Sequence, residues 1–184
     1  MPKNNAKTSS TSSICLLDSL RNYLWDAGSN SWVNINDKDI NTYDANNNMI
    51  FSVSLTWDPV SNLWVNDLKS TYTYDSNNDK TFDLNQLWYT GTNSWVGYNN
   101  VSYTYDANHN IISSIQQTWD TGTNLWVNKV KFTNTYDANN NRTFFIQQTW
   151  DINTNSWVYN FNYAQTYNAS NKETVNRQRN LDKR

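Results

Sequence analysis

One interval constrains this chain more than any other feature. All ten tryptophans fall in five pairs, each seven residues apart: Trp25 and Trp32, Trp57 and Trp64, Trp88 and Trp95, Trp119 and Trp126, Trp150 and Trp157. The first members are spaced 32, 31, 31 and 31 residues apart. A second phrase follows each pair, with its tyrosine at Tyr43, Tyr74, Tyr105, Tyr136 and Tyr167, always 31 residues from the next. A fixed period of this length is the signature of a tandem-repeat architecture, in which each unit buries its apolar surface on its neighbours. Five repeats therefore start near Trp25, Trp57, Trp88, Trp119 and Trp150. They are read as one repeat domain over residues 13–184, behind a polar leader at residues 1–12 expected to be disordered.

Within a repeat the apolar period is two, which points to strands. Met49, Phe51, Val53, Leu55 and Trp57 alternate with Ile50, Ser52, Ser54 and Thr56. After the second tryptophan, Trp126, Asn128, Val130, Phe132, Asn134 and Tyr136 are expected to share one face with the tryptophans. Each repeat then supplies two strands of about ten residues, and both connections are too short for a parallel crossover. Trp119 opposite Trp126 leaves a four-residue loop, Thr121 to Asn124. Asp137 opposite Asn141 leaves a three-residue turn whose third residue must be left-handed. That third position holds Asn47, Asn78, His109, Asn140 and Asn171, and Asn and His tolerate positive φ better than most residues. The turn-defining residues are thus Asp44, Asp75, Asp106 and Asp137 with Asn47, Asn78, His109 and Asn140. The single extra residue of the first interval lies between Asn34 and Asp39 and predicts a β-bulge there.

The expected fold is all-β: an antiparallel hairpin meander of about eleven strands from five repeats of about 31 residues. Ten indoles at about 150–250 Å² each approach 2,000 Å² of apolar surface, far more than a soluble monomer exposes in one patch. The sheet is therefore expected to coil or roll over its aromatic face, as a spiral sheet in preference to a closed barrel. The last strand, Lys172 to Leu181, places Arg177 and Arg179 where the preceding repeat carries Ile146 and Gln148; it reads either as a cap that blocks further edge pairing or as a degenerate repeat.

Composition narrows the function classes. The net charge is −2 with Lys and Arg scattered, which gives no electrostatic footprint for nucleic acid. Asn and Gln on the aromatic face argue against an outer-membrane barrel, so membrane insertion is not expected. Cys15 is the only cysteine, in an apolar setting, and supports neither an internal disulfide nor a thiolate metal site.

Candidate chemistry is sparse. His109 is the only histidine, and its turn position accounts for it. Asp26, Asp58, Asp120 and Asp151 open one set of loops and the Tyr-Asp aspartates open the other, as turn aspartates do. No unique carboxylate pair faces across a cleft, as glycoside hydrolysis would need. Asp137, Asn139 and Asn141 match the opening of a calcium loop but lack its glycine and its distant Glu. No catalytic, cofactor or metal residue is nominated. The tryptophans admit two readings: cross-strand clasps, or sugar-stacking platforms at Trp57, Trp64, Trp88, Trp95, Trp119 and Trp126, with Asn and Gln supplying hydrogen bonds.

The phrases Tyr43 to Asn48, Tyr105 to Asn110 and Tyr136 to Asn141, with a near match at Tyr74 to Asp79, resemble the YD (RHS-type) repeat. The chain resembles still more closely the Trp/Tyr-Asp arrays of secreted bacterial surface proteins, with Asn or His in place of the usual glycine. The resemblance implies a coiled hairpin sheet at or outside the cell surface, serving as shell, spacer or adhesive. It implies no catalysis. The expected role is therefore non-enzymatic and structural or adhesive, secreted or at the cell surface. The expected partners are polysaccharide, or further copies of the chain joined edge to edge into a fibre.

Overall fold

A computed structural model describes residues 17–26, 28, 30–170 and 172–180. The leader at 1–12, Cys15, Asn171 and Leu181 lie outside the described residues, as do the side chains of Arg177 and Arg179.

The described chain is all strand and turn. The strands are β1 (Leu17–Asp26), β2 (Ser31–Tyr43), β3 (Met49–Asp58), β4 (Leu63–Tyr74), β5 (Lys80–Tyr89), β6 (Ser94–Tyr105), β7 (Ile111–Asp120), β8 (Leu125–Tyr136), β9 (Arg142–Asp151), β10 (Ser156–Tyr167) and β11 (Glu173–Asn180). They form one open eleven-stranded sheet in strict chain order. Every described pairing is antiparallel. By contact density the chain divides into two compact units, residues 1–67 and 68–184, with the boundary inside β4.

Both turn classes match the sequence. Asp137 N–H donates to the Asn141 carbonyl at 2.9 Å and Asn140 N–H to the Asp137 carbonyl at 3.1 Å, with the same pattern at Asp44, Asp75 and Asp106. Asn47, Asn78, His109 and Asn140 have φ of 65°, 66°, 65° and 62°. The Asp carboxylate pins each turn: Asp137 Oδ1 accepts from the Asn139 and Asn141 N–H groups, and Oδ2 accepts from Asn141 Nδ2. At the opposite end of the hairpin Asp120 pairs with Leu125 around the four-residue loop. That loop also ends left-handed, at Asn30, Asn62, Asn93, Asn124 and Asn155. No described glycine has positive φ; asparagine takes that role, with His109 the one exception among the described residues.

The facing pattern differs from the expected one, and a bulge is the reason. In the hairpin β7/β8, Gln117 pairs with Asn128 but Gln116 pairs with Val130, so Lys129 is extra. Tyr98 and Asn160 are the equivalent extra residues in β6 and β10. In β2 the same site is one residue wider, since Ile35, Asn36 and Asp37 stand against Asn22 alone. The inserted residue thus lies where the spacing predicted a bulge. What the spacing hid is that later repeats carry a bulge as well.

Directly opposed residues share a face, and one extra residue moves all that follow to the other side. Trp119, Gln117 and Ile115 therefore share a face with Trp126, Asn128, Lys131 and Thr133. Val130, Phe132, Asn134 and Tyr136 lie on the opposite face, with Gln116 and Ser114. A second bulge, at Ile50, Thr81, Ile112 and Thr143, likewise turns Met49, Lys80, Ile111 and Arg142 to the tyrosine side. The aromatics accordingly form a tryptophan face and a tyrosine face rather than one.

Each face has its own packing. On the tyrosine face of the second unit, Phe145 contacts Phe132, Phe161 and Tyr163 with centroids 5.6, 5.5 and 5.0 Å apart, under the Arg142 guanidinium. Lys80 Nζ sits 5.3 Å from both the Tyr72 and Tyr103 rings. It also pairs with Asp83 at 3.0 Å, and Asp83 accepts from Tyr103 OH as well. Burial and this bond to Asp83 push the Tyr103 phenol well above its ordinary range. A polar ladder runs from Ser70 Oγ to Asn85 to Asn99. Ser70, Asp83, Val130 and Asn134 are buried on this face, whereas no described side chain is sealed completely from solvent. Three repeat tyrosines tie back to the strand before them: Tyr105, Tyr136 and Tyr167 donate to the carbonyls of Lys80, Ile111 and Arg142.

Candidate functional site

The tryptophan face ends in a row of hairpin tips. Pairing between β6 and β7 runs only as far as Asn99 with Thr118, and between β8 and β9 only to Val130 with Thr149. Beyond those points each hairpin pairs only within itself, through Trp88 with Trp95, Trp119 with Trp126 and Trp150 with Trp157. The bulges fall at this boundary, so adjacent tips splay and leave clefts between them.

The indole pairs are built alike. Their centroids lie 5.4, 5.1, 5.1 and 5.0 Å apart for the pairs starting at Trp57, Trp88, Trp119 and Trp150, with interplanar angles of 68–72°. This is the edge-to-face geometry aromatic rings prefer. All eight of these rings are half-buried. Each is held by its partner, so the six tryptophans weighed as sugar platforms act first as clasps. Trp57 and Trp64 belong to the first unit. In the second, Trp88 and Trp119 line the cleft between the third and fourth tips, while Trp95 and Trp126 line a hollow beside it.

That cleft encloses about 680 Å³ and opens beside a smaller hollow of about 380 Å³, with Val96, Gly97, Trp119 and Asn124 shared by both. Its floor is the Trp119 indole lying on the backbone of Gly97. A Cβ at Gly97 would stand 2.8–3.0 Å from three ring carbons of Trp119. The Trp119 Nε1–H is buried with no hydrogen-bond partner. Two exposed tyrosines flank it, Tyr89 and Tyr98. The Tyr89 ring stands over Gly91 as closely as Trp119 stands over Gly97. On the far side of the Trp88/Trp95 pair, Lys69 Nζ caps the Trp95 ring at 4.9 Å, and burial lowers its ammonium pKa.

Tyr89, Gly97 and Tyr98 escaped the reading of the sequence, yet the repeats mark them. The residue after the first tryptophan is Asp26, Asp58, Asp120 or Asp151 elsewhere, but Tyr89 here. The second residue after the second tryptophan is Asn34, Asn66, Asn128 or Tyr159 elsewhere, but Gly97 here, and the next is the bulged Tyr98. This repeat departs from the others at two positions, Tyr89 and Gly97, and both line one cleft together with the bulged Tyr98.

The remaining candidates resolve into turns. His109 Nδ1 lies 2.6 Å from Asp79 Oδ2. In the next repeat the same two positions bond as Asn140 Oδ1 and Asn110 Nδ2. His109 is therefore one rung of a ladder between successive Tyr-Asp turns, and the Asp79 carboxylate raises its pKa. Hydrogen bonds from the turn asparagines hold the carboxyls of Asp44, Asp106 and Asp137 below the usual range. Asp58, Asp120 and Asp151 are lowered in the same sense, by Ser61, by Thr123 and by the Asn153 N–H. Among the described residues, no three His, Cys, Asp or Glu side chains gather as a metal would require. No described helix is long and apolar enough to cross a membrane.

No protein-family profile matches the chain, and a search of curated proteins found no match. Among solved structures it is similar to a crystal structure of a protein of unknown function from Bacteroides fragilis. The two share 15% identity and a TM-score of 0.57 over 70% of this chain and 91% of that one. It also matches DUF3836 family proteins from Bacteroides vulgatus (21% identity, TM-score 0.40, 50% and 90% of the two chains) and Parabacteroides distasonis (18%, 0.39, 59% and 87%). The first likeness bears on the fold alone.

Proposed function

We propose that this chain is a non-enzymatic repeat scaffold of the cell surface or the secreted space, where it presents an aromatic-rich sheet in a structural or adhesive role. The observation that carries the reading is how the polar residues are spent. The same Asp-to-amide turn recurs at Asp44, Asp75, Asp106 and Asp137. The one histidine is a rung of the turn ladder. Catalysis concentrates perturbed groups in one cleft, whereas here the perturbed carboxyls of Asp44, Asp58, Asp106, Asp120, Asp137 and Asp151 sit in separate turns. The resemblance to Trp/Tyr-Asp arrays of surface proteins supports the location.

The test is protease shaving of intact cells of the source organism, read with an antibody to the chain. Paired with it is the binding of protein-coated beads to the same cells. Loss of the epitope from intact cells, together with bead retention, is the expected result. An epitope that stays protected until the cells are lysed would overturn the proposal.

A further inference from the structure

We propose that the cleft between the third and fourth hairpin tips is a binding site for neutral carbohydrate, with Tyr89 and Tyr98 as contact rings and Trp119 as its floor. This adds a ligand to the scaffold reading and stands or falls apart from it.

Three features converge. The first is specialisation of a single repeat: Tyr89 replaces a turn aspartate, Gly97 replaces a side chain that other repeats keep, and the bulge presents Tyr98. A repeat that served only to continue the sheet would have no need of these changes at one place. Exchanging Asp for Tyr89 gives up the turn hydrogen bonds that Asp58, Asp120 and Asp151 make to their own loops. The second is exposure. Tyr89 and Tyr98 are 57% and 52% exposed, while the eight described indoles are half-buried in their pairs. Gly97 lets Trp119 lie down on the backbone, which opens the space above the indole.

The third feature is charge. The lining of the cleft contains no ionisable side chain apart from the two phenols, although equivalent positions elsewhere carry Asp58, Asp120 and Lys129. A charged ligand would be desolvated there without a counter-charge, at a cost that neutral residues cannot offset. A neutral sugar matches instead. Its ring presents an apolar C–H face to aromatic carbon. Its hydroxyls suit uncharged donors and acceptors such as Asn124, Thr121 and the two phenols. The volume lies within the roughly 300–1,000 Å³ typical of small-molecule sites.

The experiment titrates the full chain with cellohexaose, xylohexaose and maltohexaose, with hexagalacturonate as a charged comparator. It is read by intrinsic tryptophan fluorescence and by calorimetry. At least one neutral hexasaccharide should bind saturably. Tyr98→Ala and Tyr89→Asp should each weaken it at least tenfold, whereas Tyr159→Ala, on a different tip, should leave it unchanged. Tyr89→Asp restores the turn residue of the other repeats, so its fold is secured if Tyr98→Ala does not fold. The proposal is overturned if no neutral hexasaccharide saturates at millimolar concentration, if hexagalacturonate binds more tightly than all of them, or if Tyr89→Asp binds as wild type. It is equally overturned if Tyr159→Ala weakens binding as much as the cleft variants do.

Discussion

Replacing Gly97 by alanine tests the packing beneath Trp119 directly. An added Cβ would lie 2.8, 2.9 and 3.0 Å from Cδ2, Cγ and Cε3 of that ring. Carbon atoms pack at about 3.5–4.0 Å, so the indole must retreat by roughly 0.5–1 Å or its backbone must give. The ring is not free to move, because it is clasped to Trp126 at 5.1 Å. Forcing an extra methyl into such a contact costs about 1–3 kcal/mol. Gly→Ala also stiffens the unfolded chain, which offsets about 0.4–1 kcal/mol. The net expectation is destabilisation of about 1–2 kcal/mol, a fall in Tm of roughly 2–8 °C for a chain of this size. Thermal melts followed by near-UV circular dichroism, which senses the indole environment, measure it. A Gly97→Ala protein as stable as wild type, with an unchanged indole signal, would show that Trp119 does not rest on this glycine.

Other consequences are equally open to measurement. Trp119 carries a buried Nε1–H with no partner, and such a group costs about 1–3 kcal/mol; Trp119→Phe should therefore destabilise by about 1 kcal/mol less than Trp150→Phe in parallel denaturant titrations, and equal losses would contradict the burial. Tyr136→Phe removes the hydrogen bond to the Ile111 carbonyl and should cost about 0.5–1.5 kcal/mol; a neutral result in the same titration counts against the tyrosine clasp. His109 titrates above its ordinary 6.5 because Asp79 favours the imidazolium. Its contribution to stability is thus complete below about pH 6.5 and is lost as pH rises through the raised value. An NMR titration should give a midpoint above 6.5 that Asp79→Asn lowers, and a midpoint at or below 6.5 in the wild type would refute the rung. The turn aspartates run the other way. The carboxyls of Asp44, Asp106 and Asp137 are held below their ordinary 3.8, so their contribution is present above about pH 3.8 and lost as pH falls through the lowered values. Melts between pH 5 and pH 2 should show this loss, reduced in Asp137→Asn; a variant with the full wild-type acid sensitivity would exclude Asp137 as a contributor.

Much of the architecture was legible because it rests on local chemistry. The three-residue turn requires positive φ at its third residue, which Asn and His tolerate, and the paired tryptophans seven residues apart fix the opposite register. The single insertion near Asn36 marked a true bulge. The bulges shared by later repeats were not legible, because a feature repeated at the same place leaves the spacing of 31 unchanged. Strict alternation then carried Val130, Phe132 and Tyr136 to the wrong face. The cleft was hidden for a related reason. Tyr89, Gly97 and Tyr98 are unremarkable one at a time, and they acquire meaning only against the other repeats and across the gap where two hairpin tips part.

The division of the aromatics between two faces underlies every step from fold to cleft, and a ring-to-ring NOE spectrum of the folded chain tests it most directly. Cross-peaks should join the Phe145 ring to Phe132, Phe161 and Tyr163, and the Trp119 indole to Trp126 and to the Gly97 Hα protons. Cross-peaks from Phe132 or Phe145 to the Trp119, Trp126, Trp150 or Trp157 indoles would place all the aromatics on one face and contradict the account.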